Sequence, residues 1–341
     1  SPDGQAILTG IHGTAMLWDL KGNQIGEPFE YHTDFVTSVA FSPDGQAILT
    51  GSEDKTAILW DLKGKQIQTF QGHTFTVSSA AFSPDGQAIL TGSGDKTAIL
   101  WDFKGKQIRS FQGHTNFVSS VAFSPDGQSM LTGAYDKTAI LWDLKGTKFQ
   151  TFQGHTDIIH SVAFSPDGQA ILTGSFDNTA ILWDLKGKQI QTFQGHKEWV
   201  WSVAFSPDGQ AILTGSFDNT AILWDLKGNQ IQTFYGHTFP VYSVAFSPDG
   251  QSILTGSYNG TAILWDLKGK QIQTFQGNTQ VSFVAFSPNG QSILTGSEYK
   301  TAILWKTPEG IYNWLQSSEC RIRQLNEEEK REYGIIVEGE Y

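Results

Sequence analysis

A histidine, a hydroxyl-bearing residue and an aspartate recur together along this chain of 341 residues. His73, Thr91 or Ser93, and Asp95 make one such set. A carboxylate that orients an imidazole beside a hydroxyl is the arrangement that activates a nucleophile for acyl transfer, so hydrolysis is the first chemistry to weigh. The set is repeated, however. His32 with Asp54, His114 with Asp136, His155 with Asp177 and His196 with Asp218 stand at the same separation. His237 faces Asn259 instead, and Asn278 with Tyr299 has lost both ionisable members. An enzyme needs one constellation of unlike residues, and five near-copies point to structure. No catalytic residue is expected.

Other chemistry is equally thin. The histidines come one per repeat, and none lies beside a cysteine or second histidine at metal-ligand spacing. His160 is the extra one, and standing alone it reads as a surface residue. No Gly-rich phosphate cradle precedes a helix, and no basic-aromatic stripe suits nucleic acid. The formal net charge of −11 opposes a phosphate-binding surface. Neither cofactor nor metal is expected, and nucleic acid and membrane are not expected partners. Cys320 is the sole cysteine, which excludes an intrachain disulfide and favours a cytoplasmic setting. No apolar run approaches the roughly 20 residues needed to cross a bilayer as a helix. The chain starts at Ser1-Pro2, inside a repeat, and reads as a piece of something longer.

What positions the recurring sets is a repeat. Ser-Pro-Asp-Gly begins at Ser1, Ser42, Ser83, Ser124, Ser165, Ser206 and Ser247, with Ser-Pro-Asn-Gly at Ser287. The matching tryptophans are Trp18, Trp60, Trp101, Trp142, Trp183, Trp224, Trp265 and Trp305, mostly 41 residues apart. One such unit cannot bury its own apolar faces, so several must stack into one body. Each unit offers four short strands, here a to d, which around Trp101 are 77–82, 87–93, 97–101 and 106–111. Strand a is built of small residues suited to a crowded centre. Strands b and c carry near-continuous apolar runs, as strands covered on both faces do. Strand d is polar and charged, as an outer edge should be. Pro84-Asp85-Gly86 and Lys104-Gly105 are tight turns at one end, which reads as a solvated face. The Gly-His loop and the Gly-Asp-Lys turn share the other end.

The unit from Gly72-His73 to Trp101-Asp102 resembles a WD40 repeat, and the resemblance covers about residues 1–306. It implies an all-β propeller of four-stranded antiparallel blades, usually seven, that serves as an interaction platform and not as an enzyme. It also implies that His73 bonds Asp95, while Thr91 (or Ser93) links His73 to Trp101. The same network is then expected of His114, Asp136 and Trp142, of His155, Asp177 and Trp183, and of His196, Asp218 and Trp224. A buried indole N–H and imidazole each need a partner, and leaving either unpaired costs about 1–3 kcal/mol.

Counting strands gives eight of b and c but seven of a and d. Seven blades are favoured, with an early d strand at 23–29 completing the last blade and residues 1–22 left as an extra b-c hairpin. Eight blades, the first lacking a and the last lacking d, are the close alternative, with 1–22 a partial first blade. Residues 23–306 form the propeller in the first reading. Beyond Trp305, residues 307–341 form a tail with two short helices. Pro308 and Glu309 suit a first turn, Ile311, Trp314 and Leu315 share one face, and Asn326 with Glu329 resembles a capping box. The tail resembles those closing bacterial WD40 arrays, which often sit behind signalling or NTPase domains.

Because the units are near-copies, their disagreements carry the remaining information. Three positions vary strongly, all at the Gly-His end. Tyr135, His160, Phe176, Trp199, Trp201, Phe217, Tyr242 and Tyr258 fall on four consecutive repeats, while Glu53, Gly94 and Glu298 occupy the turn position on the others. A one-sided aromatic crescent opposite a small acidic sector is expected. Trp and Tyr are enriched among binding hot spots, which suits a peptide or protein loop with cationic or apolar anchors. Drifted rings that merely cover one another are the bland alternative. The favoured function is a non-catalytic interaction platform, read as the sensing part of a larger signalling protein. The alternative is a self-assembling repeat protein forming homo-oligomers by blade exchange.

Overall fold

A computed structural model of the chain describes residues 6–11, 14–19, 24–61, 63–276, 281, 283–286, 290, 292–296 and 302–306. Side chains are described over 31–61 and 63–276 and at a few later positions. The expected tail helices, Cys320, Glu298 and the Asn278–Tyr299 pair lie outside the described residues. Thirty antiparallel strands form the described part. Six sheets have four strands in chain order, spanning 36–71, 77–112, 118–153, 159–194, 200–234 and 241–276. These are propeller blades, named below by their tryptophans: Trp60, Trp101, Trp142, Trp183, Trp224 and Trp265. No helix among the described residues is long and apolar enough to cross a membrane.

The Trp101 blade shows why the sequence folds this way. Its strands are a (Val77–Phe82), b (Ala88–Ser93), c (Thr97–Asp102) and d (Gln107–Gln112). Between a and b, the Gly86 N–H donates to the Ser83 carbonyl at 2.8 Å, and Gly86 takes a φ of 67°, where a side chain would be strained. Asp85 accepts from the Ser83 hydroxyl at 2.6 Å and the Gln87 N–H at 3.0 Å, which fixes the turn from inside. Strands b and c are buried along nearly their whole length. Strand d is exposed except at its Phe. Yet this edge is less polar than expected. Ile67, Ile108, Phe149, Ile190, Ile231 and Ile272 are all exposed on it, one per blade.

The core lies between blades. Leu49, Leu59 and Phe70 of one blade pack on Val77, Ile89, Ile99 and Trp101 of the next. Each such side chain contributes on the order of 2 kcal/mol of transfer free energy, so the joints hold the array and no blade stands alone. The joints are tight enough to dictate glycines. A Cβ on Gly92 would stand 2.6 Å from Val121 Cγ1 of the following blade, and one on Gly72 would stand 2.8 Å from the Trp101 ring. At the turn end, a Cβ on Gly86 would lie 3.6 Å from Pro43 Cδ, one on Gly127 3.5 Å from Pro84 Cδ and one on Gly168 3.4 Å from Pro125 Cδ, so each proline adjoins the glycine one blade onward.

The array ends differently from the expected seam. Strand d at Gln24–Glu30 pairs with Thr14–Asp19, which pairs with Ala6–Ile11, in a three-stranded sheet. A second three-stranded sheet joins Phe283–Phe286, Ser292–Gly296 and Ala302–Lys306. The early d strand therefore stays with its own hairpin and does not complete the last blade. Closing that short loop costs little chain entropy, whereas a seam would join segments far apart in sequence. Ala6–Ile11 lies beside Val36–Phe41 and also approaches Ser292–Gly296, so the two three-stranded sheets adjoin.

Candidate functional site

The loop before strand a and the turn between b and c bring each histidine to its aspartate. In the Trp101 blade, His73 Nδ1–H donates to Asp95 Oδ2 at 2.8 Å. With Nδ1 turned to the aspartate, Nε2 meets the Thr91 hydroxyl at 2.8 Å. Thr91 Oγ1 in turn accepts the Trp101 indole N–H at 2.8 Å. Thr91 is the hub, and Ser93 serves elsewhere, donating to the Phe75 carbonyl at 3.0 Å and accepting from the Asp95 N–H. The blades of Trp60, Trp142, Trp183 and Trp224 repeat the His–Asp pair at 2.8–2.9 Å and the Trp–Thr bond at 2.9 Å.

The aspartates are strongly ionised. Burial pushes the Asp177 carboxyl up, but bonds from His155, Thr179 and the Thr156 N–H outweigh it and lower it to about 2. Asp218 sits at about 2 for matching reasons, and Asp54, Asp95 and Asp136 are held well below the usual carboxylate range. Geometrically each set is an Asp–His–hydroxyl triad. The hydroxyls of Thr50, Thr91, Thr173 and Thr214 are wholly buried, however, with the indole bonded to the same oxygen, so no substrate can reach them. The network supports the blade and offers no nucleophile. No group of His, Cys, Asp and Glu suited to a metal occurs among the described residues.

Inward from this network, strand a of each blade carries a β-bulge in its pairing with b, at Thr37, Ser78, Ser119, His160, Trp201 and Tyr242 in turn. A bulge re-aims one side chain, and these six are turned toward the neighbouring blade. Thr37 donates to the Val77 carbonyl, Ser78 to that of Val118, and Ser119 to that of Ile159 at 2.6 Å. His160 does the same with Nδ1–H, to the Trp201 carbonyl at 3.0 Å. It is therefore no plain surface residue: its ring lies 3.9 Å from that of Trp201 and stacks on Phe176. Burial lowers its pKa to about 4, against the pull of that carbonyl, and keeps it neutral.

From His160 the rings run on without a break. Phe176 and Trp199 stack at 4.4 Å with 5° between planes. Trp201 stacks on Phe217 at 4.9 Å and meets Tyr242 edge-on at 5.2 Å. Tyr242 contacts Tyr258 at 5.9 Å, and Phe239 contacts Tyr258 at 6.0 Å. Seven of the eight residues expected in the crescent thus form one contiguous cluster over the blades of Trp183, Trp224 and Trp265. Tyr135 stands apart, tilted against Phe117 at 4.9 Å, which in turn meets Phe75 edge-on. Within the cluster the rings largely cover one another. Trp199 and Tyr258 remain 40% and 45% exposed, and Phe239 is 49% exposed.

Phe239, Phe117 and Phe75 were missed as members. Phe117 occupies a position that varies between repeats, and Phe75 and Phe239 sit two residues after their histidines, where other blades have Asp34, Asn116, Asp157 and Glu198. The acidic sector shrinks correspondingly. A Cβ on Gly94 would lie 2.4 Å from the Phe75 ring and 2.6 Å from Phe117, so rings fill the place left by its missing side chain. Glu53 is the exposed acid that remains at the turn position among the described residues.

Repeated four-stranded blades, each knit by a His–Asp–Thr–Trp network, define a WD40-type β-propeller, a fold that in general serves as a protein-interaction platform and is typically non-catalytic. The chain matches the family described as IFT122 first beta-propeller over residues 1–147 and 117–336, and it belongs to that family. No curated protein matches the chain significantly.

Proposed function

We propose that this chain is a non-catalytic interaction platform that grips a peptide or protein loop on its histidine-loop face, within a larger cytoplasmic signalling protein. One observation carries the reading: a continuous aromatic cluster, half-buried at its base, exposes Trp199, Phe239 and Tyr258 together at its edge. Rings supported from below lose little entropy on binding, and exposed patches of this kind mark interaction sites.

A pull-down from source-cell lysate tests it, with the parent beside Trp199→Ala/Tyr258→Ala and Lys63→Ser/Lys104→Ser, which lies on the opposite end. Folding of each is checked by circular dichroism. A partner kept by the parent and the lysine variant but lost by the aromatic variant supports the face. Equal retention by all three would sink it. A second reading is oligomers formed by blade exchange: among the described residues the first and last sheets have three strands each, and a second copy could pair with either. Mass that rises with concentration in light scattering supports that reading, and a constant monomer mass removes it.

A further inference from the structure

The turn residue after each aspartate, or after Asn259 in the Trp265 blade, divides the face in two. It is Lys55, Lys96 and Lys137 in the blades of Trp60, Trp101 and Trp142, each exposed with φ between 71° and 75°. It is Asn178, Asn219 and Gly260 in the blades of Trp183, Trp224 and Trp265, at φ of 71°, 71° and 80°. Lysine holds the same φ in three blades, so the backbone does not exclude it at 178 or 219. The change coincides with the aromatic cluster. It removes ammonium groups from the three blades that carry Phe176, Trp199, Phe217, Phe239 and Tyr258.

The carboxylates are spread over both halves, and the loop and turn of the Trp60 blade carry Asp34, Glu53 and Asp54 against Lys55. In the blades of Trp101 and Trp142 the loop and turn carry Asp95 beside Lys96 and Asp136 beside Lys137, charge for charge. In those of Trp183 and Trp224 they carry Asp157, Asp177, Glu198 and Asp218 against one ammonium, Lys197. Asp177 and Asp218 stay ionised down to about pH 2. Glu198 is exposed and adjoins Trp199 in the chain. What distinguishes the aromatic half is the absence of a turn lysine beside its rings, with Lys197 the ammonium in its loops and Asp157, Asp177, Glu198 and Asp218 around it.

We infer that this half takes an arginine side chain of a partner peptide or loop, seated on the exposed part of the Trp199 ring. This rests on the platform reading and names the chemistry of its ligand. A cation is drawn to the ring quadrupole, and a guanidinium stacks flat on indole while keeping hydrogen bonds at its edge for a carboxylate. Phe176, parallel to Trp199 at 4.4 Å, and Phe217, tilted against it at 5.1 Å, hold that ring in place. A turn lysine at 178 or 219 would repel the ligand.

The experiment is calorimetric titration at low ionic strength, where surface charge is least screened. The probes are three blocked peptides of one length, Gly-Ser-X-Ser-Gly, with X arginine, citrulline or glutamate. The parent is expected to bind the arginine peptide at least about threefold more tightly than citrulline, with glutamate weakest. Asn178→Lys/Asn219→Lys, which installs a residue this backbone already accepts in three blades, should weaken the arginine peptide by about fivefold or more. Lys96→Asn/Lys137→Asn should not weaken it. Citrulline or glutamate binding as well as arginine, with all three lost in Trp199→Leu, overturns the cation inference while the face survives. Binding unaffected by the asparagine-to-lysine change overturns it as well. If the parent binds none of the three, the inference falls, and the platform reading is judged by the pull-down.

Discussion

Five blades set a buried imidazole against a carboxylate, and the Trp265 blade sets it against an amide. In the five, the aspartate gathers several donors; Asp95 takes His73 Nδ1–H, the Thr74 N–H, and both the N–H and hydroxyl of Thr97. In the Trp265 blade, Asn259 Oδ1 keeps the two bonds from Thr261, but its nitrogen end turns to Thr238, and His237 Nδ1–H moves to the Thr261 hydroxyl at 3.1 Å. The inner half is unchanged: His237 Nε2 meets Thr255 at 2.7 Å, and Trp265 donates to Thr255 at 2.9 Å. Losing the carboxylate leaves burial to dominate, and the His237 pKa falls to about 4. The fold therefore needs the threonine hub, while the ionic outer half is a separable reinforcement.

The hub offers the largest test. Thr173→Val and Thr255→Val each strand an indole N–H and an imidazole nitrogen, and each should cost about 2–5 kcal/mol in urea unfolding. The two losses should agree, and a much smaller one at Thr255 would break the claim of a shared inner half. Next comes the swap of outer halves. Asp218→Asn should cost about 1.5–3 kcal/mol, the range for hydrogen bonds to a charged group, and Asn259→Asp should return part of that in the other direction. A neutral Asp218→Asn would show that the carboxylate reinforces nothing.

Acid separates the two kinds of blade as well. His237 and His160 have folded pKa values of about 4, below the ordinary 6.5, so the unfolded chain binds more protons between those values. Stability is lost as pH falls through that window, by up to about 1.4 kcal/mol per unit and group. Asp177 and Asp218, lowered to about 2 from 3.8, give stability that is complete above the ordinary value and lost only as pH falls toward 2. Amide exchange at pH 5 should thus accelerate in the Trp265 blade and around His160 before the Trp60 and Trp101 blades, and Asn259→Asp should remove the first effect. Uniform exchange across the blades would contradict the assignment. The smallest effect concerns the turns. Lys96→Gly relieves a φ of 75° and should stabilise by about 0.5–1 kcal/mol, whereas Gly260→Lys should lose about as much.

Much of this was legible in the sequence, because repetition multiplies weak signals. Strand boundaries around Trp101 lie within a residue of those expected from turn residues alone. Repetition showed that His and Asp recur together, the WD40 resemblance implied that they bond, and choosing Thr91 over Ser93 needed the strand register, which sets Thr91 opposite Ile99 beneath the indole. What escaped were features set by neighbours in space. His160 looks solitary in sequence, yet a bulge turns it beneath Trp201 of the next blade. Gly94 looks empty, yet Phe75 and Phe117 close over it from two blades. The pairing of Gln24–Glu30 turns on a choice between two partners of nearly identical sequence, which periodicity cannot decide.

The contact of each proline with the glycine one blade onward has a consequence for ancestry. Excising residues 118–158 would bring Pro84 to Gly168, set Ile159 and Val162 where Val118 and Val121 meet Gly92, and lay Phe111 on Trp183. Each of these meetings already exists elsewhere in the molecule. Unequal recombination can therefore add or drop a unit without inventing an interface, and curvature alone must adjust. Such a gene can lengthen or shorten by whole units and still encode a body whose every joint has been used before.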